Sequence, residues 1–221
     1  MKVLLFGATG MVGQGVLREC LLDDRVEFTV TIGRTTTGKT NPKLCEIEHK
    51  DLFDYSSIES QLTGFDACFF CLGISSAGLK EAEYRRVTYD LTLVAANILV
   101  KLNPNLVFTY VSGTGTDSTE KGHSMWARVK GETENALLRL PFKAAYMFRP
   151  GMIEALHGIK SKTKLYRMIY PLMTPLFPIL NAVFPNQMTT TEKIGRAMIQ
   201  VAAQGAPKTI LESRDINSLV N

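Results

Sequence analysis

Several absences narrow this sequence before any motif is found. Cysteine is scarce, four in 221 residues, at Cys20, Cys45, Cys68 and Cys71. That is too few for the disulfide framework of a small secreted domain. Charge of one sign is also missing: 25 basic residues against 21 acidic ones leave a formal net charge of only +4. Such a surplus does not argue for nucleic acid, though it suits an anionic ligand. Long hydrophobic runs are absent as well. Val3–Phe6 ends after four apolar residues, short of the roughly 7–15 that a secretory signal needs. The stretch 168–178 is cut by Pro171, Pro175 and Pro178 and falls below the roughly 20 residues of a spanning helix. No solenoid-type repeat occurs. Together these absences lead us to expect a reduced, cytoplasmic protein without an integral membrane segment, a metal site or a nucleic-acid partner.

What is present is an alternation of strand and helix signals. Strands are expected at Lys2–Phe6, Glu27–Ile32, Leu44–Glu48, Asp66–Leu72, Leu106–Val111 and Ala144–Phe148, with a last short one at 208–211. Helical periodicity follows the first strand through Val12, Val16, Leu17, Leu21 and Leu22. It recurs over about 80–101, 125–140 and 194–203. Pro104 ends the second of these helices. Strand–helix alternation of this kind predicts an α/β fold, a Rossmann-type doubly wound parallel sheet with helices on both faces. We read one domain over residues 1–221, with 152–187 as an inserted lid or substrate-side cap at its C-terminal part. The basic and apolar character of 160–184 also allows contact with a membrane surface. Cys68 and Cys71 match a CxxC pattern, but residues three apart on a strand point to opposite faces. That argues against a redox or metal pair.

The chemistry-bearing motif lies at the first strand–helix junction: Gly7-Ala8-Thr9-Gly10-Met11-Val12-Gly13. A strand that turns sharply into a helix presents backbone N–H groups and the positive end of the helix dipole to an anion. Gly7 serves the turn, Gly10 the close approach of a pyrophosphate, Gly13 the contact between helix and strand. Thr9 can add a hydroxyl. At the end of the second strand an acidic residue would bind the 2′-hydroxyl of NAD, but the sequence offers Gly33-Arg34-Thr35-Thr36. Arginine fits a 2′-phosphate, so NADP(H) is expected in preference to NAD(H).

With these pieces in place, the chain resembles the short-chain dehydrogenase/reductase superfamily. It is most similar to its atypical, extended-type, nucleoside-diphosphate-sugar epimerase-like members. The glycine loop, Gly33-Arg34, Lys50-Asp51-Leu52, Cys71-Leu72-Gly73, Val111-Ser112-Gly113 and Arg149-Pro150-Gly151 carry the likeness. The resemblance implies that Asp51 and Leu52 flank the adenine. It places Cys71, Leu72 and Gly73 along the ribose and pyrophosphate, and Pro150 and Gly151 beside the nicotinamide. It also implies a catalytic Tyr-x-x-x-Lys pair assisted by a serine, with the tyrosine as acid/base and the lysine, here Lys130, binding the nicotinamide ribose and lowering the tyrosine's pKa. The matching segment is Trp126-Ala127-Arg128-Val129-Lys130. Lys130 is in place, Ser112 supplies the serine, and tryptophan stands where the family has tyrosine.

An indole N–H donates a hydrogen bond but does not exchange a proton near neutral pH. Ser112, Thr114 and Thr116 could polarise a carbonyl, and His123 could titrate. Tyr84 and Tyr89 read as packing residues. Three functions are therefore open. One is an NADP(H)-dependent oxidoreductase acting on a small carbonyl compound with a non-standard acid/base. The others are a non-catalytic NADP(H) sensor and, ranked lowest, a sugar-nucleotide epimerase. A monomer or a homodimer is compatible with the sequence.

Overall fold

The computed structural model describes residues 1–159, 184 and 186–220. Strands β1 (Lys2–Phe6), β2 (Phe28–Gly33), β3 (Leu44–Glu48), β4 (Ala67–Phe70), β5 (Val107–Val111), β6 (Ala144–Arg149) and β9 (Ile210–Glu212) form one sheet. Its order is β3-β2-β1-β4-β5-β6-β9, and every pairing is parallel. The expected Rossmann-type architecture is the one observed.

Successive side chains of a strand face opposite sides of the sheet, and the core divides accordingly. Leu4, Phe6, Cys68, Phe70 and Phe108 pack on one face, together with Leu91, Ala95 and Leu99 of helix α3 (Leu91–Leu102) and a 3₁₀ segment at Ser56–Leu62. Val3, Leu5, Ala67 and Phe69 pack on the other, under helices α1 (Met11–Leu22) and α5 (Thr191–Gln204). Helix α4 (Met125–Arg139) adds Leu137 to the first face. A sheet covered on both faces explains why β1 and β4 read as continuous apolar runs. α1 and α5 touch closely because Gly15 and Gly195 lack side chains. A Cβ on Gly15 would lie 2.6 Å from the Thr191 Cβ, and one on Gly195 would lie 2.8 Å from the Glu19 Cγ.

Three details depart from the sequence reading. The expected helix over 80–101 is α2 (Glu81–Arg85), a π-helical turn at Arg86–Asp90, and then α3. Periodicity read over the whole span does not resolve one wide turn, which adds a single residue to one turn of the helix. Two short parallel strands, β7 (Met152–Glu154) and β8 (Met188–Thr190), form a second sheet at the two ends of the proposed lid. Three-residue strands are too short to show an alternation. Helix α6 (Ser213–Ser218) follows β9, held by a bond from the Glu212 N–H to the Asp215 carboxylate. Most of the lid, and nearly all of the membrane-surface stretch 160–184, fall outside the described residues. Among the described residues no helix is long and apolar enough to cross a membrane.

Strand order reverses between β1, which leads outward to β2 and β3, and β4, which leads the other way. Parallel α/β sheets open a crevice at such a switch point, beyond the carboxyl ends of the strands. Gly7 and Cys71 follow directly on β1 and β4 and so stand at its two lips.

Candidate functional site

Gly7 has φ +80°, and a Cβ there would lie 2.7 Å from the carbonyl carbon and oxygen of Cys71 and from the Leu72 nitrogen. Any side chain would collide with the opposite lip of the crevice. Gly13 is more constrained still: its Cβ would fall 2.1 Å from the Gly7 oxygen. Gly10 differs, since a Cβ there meets only the Gly7 oxygen at 3.3 Å, leaving open space on its outer side. The Gly10 N–H donates to the Gly7 oxygen at 2.9 Å, which fixes the loop.

Gly10 is also the N-cap of α1. It has no side chain to cap the helix, and no acidic residue occupies the first turn. The contrast with α5 is direct. There the Thr190 hydroxyl accepts from the Lys193 N–H at 3.0 Å, and Glu192 lies in the first turn. Among the described residues, then, no side chain caps the N-terminal donors of α1 at the crevice.

The other expected cofactor residues lie around this loop with different degrees of access. Thr9, Gly10, Met11 and Val12 are partly exposed along the loop. Cys71 and Leu72 are partly exposed, and Gly73 is open. Arg34 is exposed and forms no hydrogen bond or ion pair among the described residues. Asp51 is exposed, and its carboxylate accepts from the Phe53 N–H at 2.9 Å. Leu52 is 5% exposed and packed in the core, so its side chain has no free face for an adenine. Pro150 is buried, and its oxygen accepts from the Thr114 N–H at 3.0 Å. The Gly151 N–H donates to the Ser213 hydroxyl at 2.8 Å.

The carboxyl ends of β5 and β6 are built from side chains bound to one another. Glu134, 0% exposed, is gripped by Arg149, whose Nε lies 3.0 and 3.1 Å from the two carboxylate oxygens. Arg149 also donates to the Ser118 hydroxyl at 2.6 Å and approaches Glu212 at 3.7 Å. The Ser112 hydroxyl donates to the Glu134 carboxylate and lies 3.2 Å from the Phe148 oxygen. Thr114 donates to the Arg149 oxygen at 3.1 Å, and Thr116 to the Gly113 oxygen at 2.7 Å. All three hydroxyls expected to polarise a carbonyl therefore have protein acceptors.

Trp126 is partly exposed and lies against the loop after β5, with its ring 3.4 Å from where a Gly115 Cβ would be. Lys130, one helical turn on, is half-buried. Its ammonium donates to the Ser112 oxygen at 2.7 Å and stands 5.8 Å from the Tyr110 ring. Burial pulls its pKa down to about 8, opposed by the Glu134 carboxylate. His123 is exposed, while Tyr84 is a buried packing residue, as expected. Tyr89 lies under the Arg85 guanidinium at 4.2 Å.

Sequence reasoning missed Glu134 and Glu212 and took Arg149 only as part of the motif that ends β6. Of the two missed, only Glu134 left a signal, four residues beyond Lys130 and so on the same helical face. The CxxC pair behaves as its strand spacing required: Cys68 packs on one face of the sheet and Cys71 against the other. No cluster of three or more metal-ligating side chains exists among the described residues.

No family model matches the chain. It is 26% identical over 192 residues to Protein FMP52-1, mitochondrial, of Scheffersomyces stipitis, covering 83% of each chain. It is 31% identical over 159 residues to Protein fmp52, mitochondrial, of Emericella nidulans, covering 69% of this chain and 66% of that one. Among solved structures it is similar to the Bordetella bronchiseptica enzyme WbmF in complex with NAD+. The TM-score there is 0.66 at 15% identity, over 98% of this chain and 76% of that chain. UDP-glucose 4-epimerase of Thermotoga maritima, with UDP-glucose, gives 0.66 at 12% identity, over 96% and 76%. These likenesses establish the fold.

The fungal relatives overturn the expectation of a cytoplasmic protein, since their names place them in mitochondria. A short apolar run excludes only a secretory signal. Mitochondrial addresses are amphipathic and basic and need no such run.

Proposed function

We propose, from the premise that this chain is a short-chain dehydrogenase/reductase of the extended, epimerase-like type, that it binds NADP(H) and reduces a small carbonyl compound with an acid/base other than tyrosine. The observation that carries the binding half is the Gly7–Gly13 cradle. Two of its glycines lie where a Cβ would strike backbone, and it opens onto an uncapped helix N-terminus. Arg34, unpaired among the described residues at the end of β2, supplies a fork for a 2′-phosphate. Bound there, a reduced nicotinamide supplies hydride. The chain's own residues orient it: the glycine loop holds the pyrophosphate, and Lys130 stands at the end of β5. The fit of WbmF, solved with NAD+, to nearly the whole chain supports a dinucleotide in this crevice.

A sensor without turnover is the second reading. The commitment of Ser112, Thr114 and Thr116 to protein acceptors favours it. Epimerisation ranks last, because by the family resemblance it depends on the tyrosine that Trp126 replaces. Trp126 is the only tryptophan and lies beside the β5 loop, so its emission reports on the site. Titration with NADPH should quench it at micromolar concentrations, with NADH weaker. If neither cofactor changes the emission or shows nicotinamide fluorescence enhancement at millimolar concentration, the reading is wrong. If binding occurs and no aldehyde, ketone or quinone consumes NADPH, the sensor reading replaces the reductase.

A further inference from the structure

We propose that Lys130 itself is the proton donor of the reduction, the role the family's tyrosine would otherwise fill, and that Glu134 is the positioning residue that keeps it charged. This rests on the reductase reading above. Among the described residues at the ends of β5 and β6, the other candidate donors are already committed.

Trp126 carries no exchangeable acid. Ser112, Thr114 and Thr116 already donate to protein acceptors. Asp117 staples its own loop, accepting from the Thr119 N–H at 2.9 Å and the Gly122 N–H at 2.7 Å. Glu134 is sealed against Arg149, and Glu212 lies beside Thr114 and Arg149. Lys130 is left as a half-buried cation at the strand end. Of its three N–H groups one is given to the Ser112 oxygen at 2.7 Å and a second leans on the Val111 oxygen at 3.5 Å. Among the described residues no acceptor takes the third proton, which is left for a substrate oxygen.

The charged and titratable groups around it come from several elements, and of these Glu134 is the one that acts on its charge. Glu134 lies on α4 itself, Tyr110 on β5, and Arg149 on β6 against Glu134. Glu212 at the end of β9 faces Arg149, and Tyr84 of α2 faces Tyr110. In the step, the carbonyl carbon gains hydride, with its electron pair, from the reduced nicotinamide. The Lys130 Nζ–H bond breaks as the alcohol O–H forms. The bond's electron pair stays on nitrogen, and the amine regains a proton from water.

Two measurements test this. The first needs no cofactor. Trace acetylation of the protein across pH 6–11, read by mass spectrometry of the peptide containing Lys130, gives its own titration. The midpoint should lie near 8, well below that of ordinary lysines, and move lower in Glu134→Gln, which removes the neighbouring negative charge. The second follows NADPH oxidation with 4-nitrobenzaldehyde and 9,10-phenanthrenequinone. Lys130→Arg keeps the positive charge but cannot release a proton. It should retain NADPH affinity within about threefold while losing turnover by about 100-fold or more. Wild-type turnover should fall above pH 8, as the donor loses its proton.

If Lys130→Arg turns over within threefold of wild type, Lys130 is not the donor and the reductase reading stands. A lysine midpoint above pH 10 overturns the proposal even if turnover is lost. Loss of turnover in His123→Ala, with Lys130→Arg still active, assigns the role to His123 instead. Absence of wild-type turnover with both substrates, with NADPH bound, removes the reductase reading and this inference together.

Discussion

The two ends of the crevice are built on opposite plans. At β1 and α1 the site is made of backbone: glycines set the path, and the ligand-facing groups are N–H donors with no side-chain partner. At β5 and β6 it is made of side chains from positions 112, 118, 134, 149 and 212, tied together by hydrogen bonds and charge. The first plan leaves donors open to an incoming anion. The second satisfies its donors internally and leaves Lys130 as the group with a proton to give. The difference separates binding from chemistry: a chain can lose the tyrosine without disturbing the cradle.

If the β5–β6 end is held by its charge pair, removing one partner should do the most damage to stability. Glu134→Ala leaves the Arg149 guanidinium, itself only 9% exposed, without its carboxylate. Breaking a buried pair from one side costs about 3–5 kcal/mol. Denaturant melts should show that loss, and Glu134→Gln, which keeps a hydrogen-bonding oxygen, should lose less. A melt unchanged within about 0.5 kcal/mol would mean that the network contributes no stability. At the other end, Gly13→Ala places a methyl 2.1 Å from the Gly7 oxygen. Backbone must move, at a cost of up to about 3 kcal/mol, and NADPH binding should be lost in the protein that still folds. The paired outcome sharpens the comparison. Glu134 variants that fold should still bind NADPH, and Gly13 variants that fold should not.

The same contrast explains what could be read from sequence. The glycine spacing, Arg34 and the strand alternation are local, so β1, α1, β3 and the site loop were legible within a residue or so. Trp126 was legible as a departure because its partner Lys130 lies one turn on in the same helix. The Glu134–Arg149 pair was not, because its members lie 15 residues apart on a helix and a strand that only the sheet order brings together. The hydroxyls of Ser112 and Thr114 read as open catalytic groups for the same reason, since their acceptors come from α4 and β6; that of Thr116 turns back on the Gly113 oxygen of its own loop. The π-helical turn and the β7–β8 pair were illegible because each is shorter than any period that could reveal it.

A smaller effect tests cofactor choice at the backbone-built end. Arg34 has no partner to release among the described residues, so its removal should be silent in a melt. A charge-assisted contact to a 2′-phosphate is worth about 2 kcal/mol. Arg34→Ala should therefore weaken NADPH roughly thirtyfold by fluorescence titration and leave NADH within twofold. Equal losses for both cofactors would take Arg34 out of the discrimination.

The smallest expected change bears most directly on how the two ends differ. If Ser112 were a catalytic hydroxyl, Ser112→Ala would cost turnover and leave stability alone. The structure predicts the reverse. Its hydroxyl donates to the sealed Glu134 carboxylate, which keeps Arg149 as a partner when the serine is gone. The lost bond is then a secondary one, about 1 kcal/mol in a denaturant melt, with NADPH affinity unchanged. Turnover should fall only slightly, since Lys130 grips the Ser112 backbone oxygen, which alanine retains. A hundredfold fall in turnover with an unchanged melt would make Ser112 a substrate contact. The β5–β6 end would then be open in the way the β1–α1 end is.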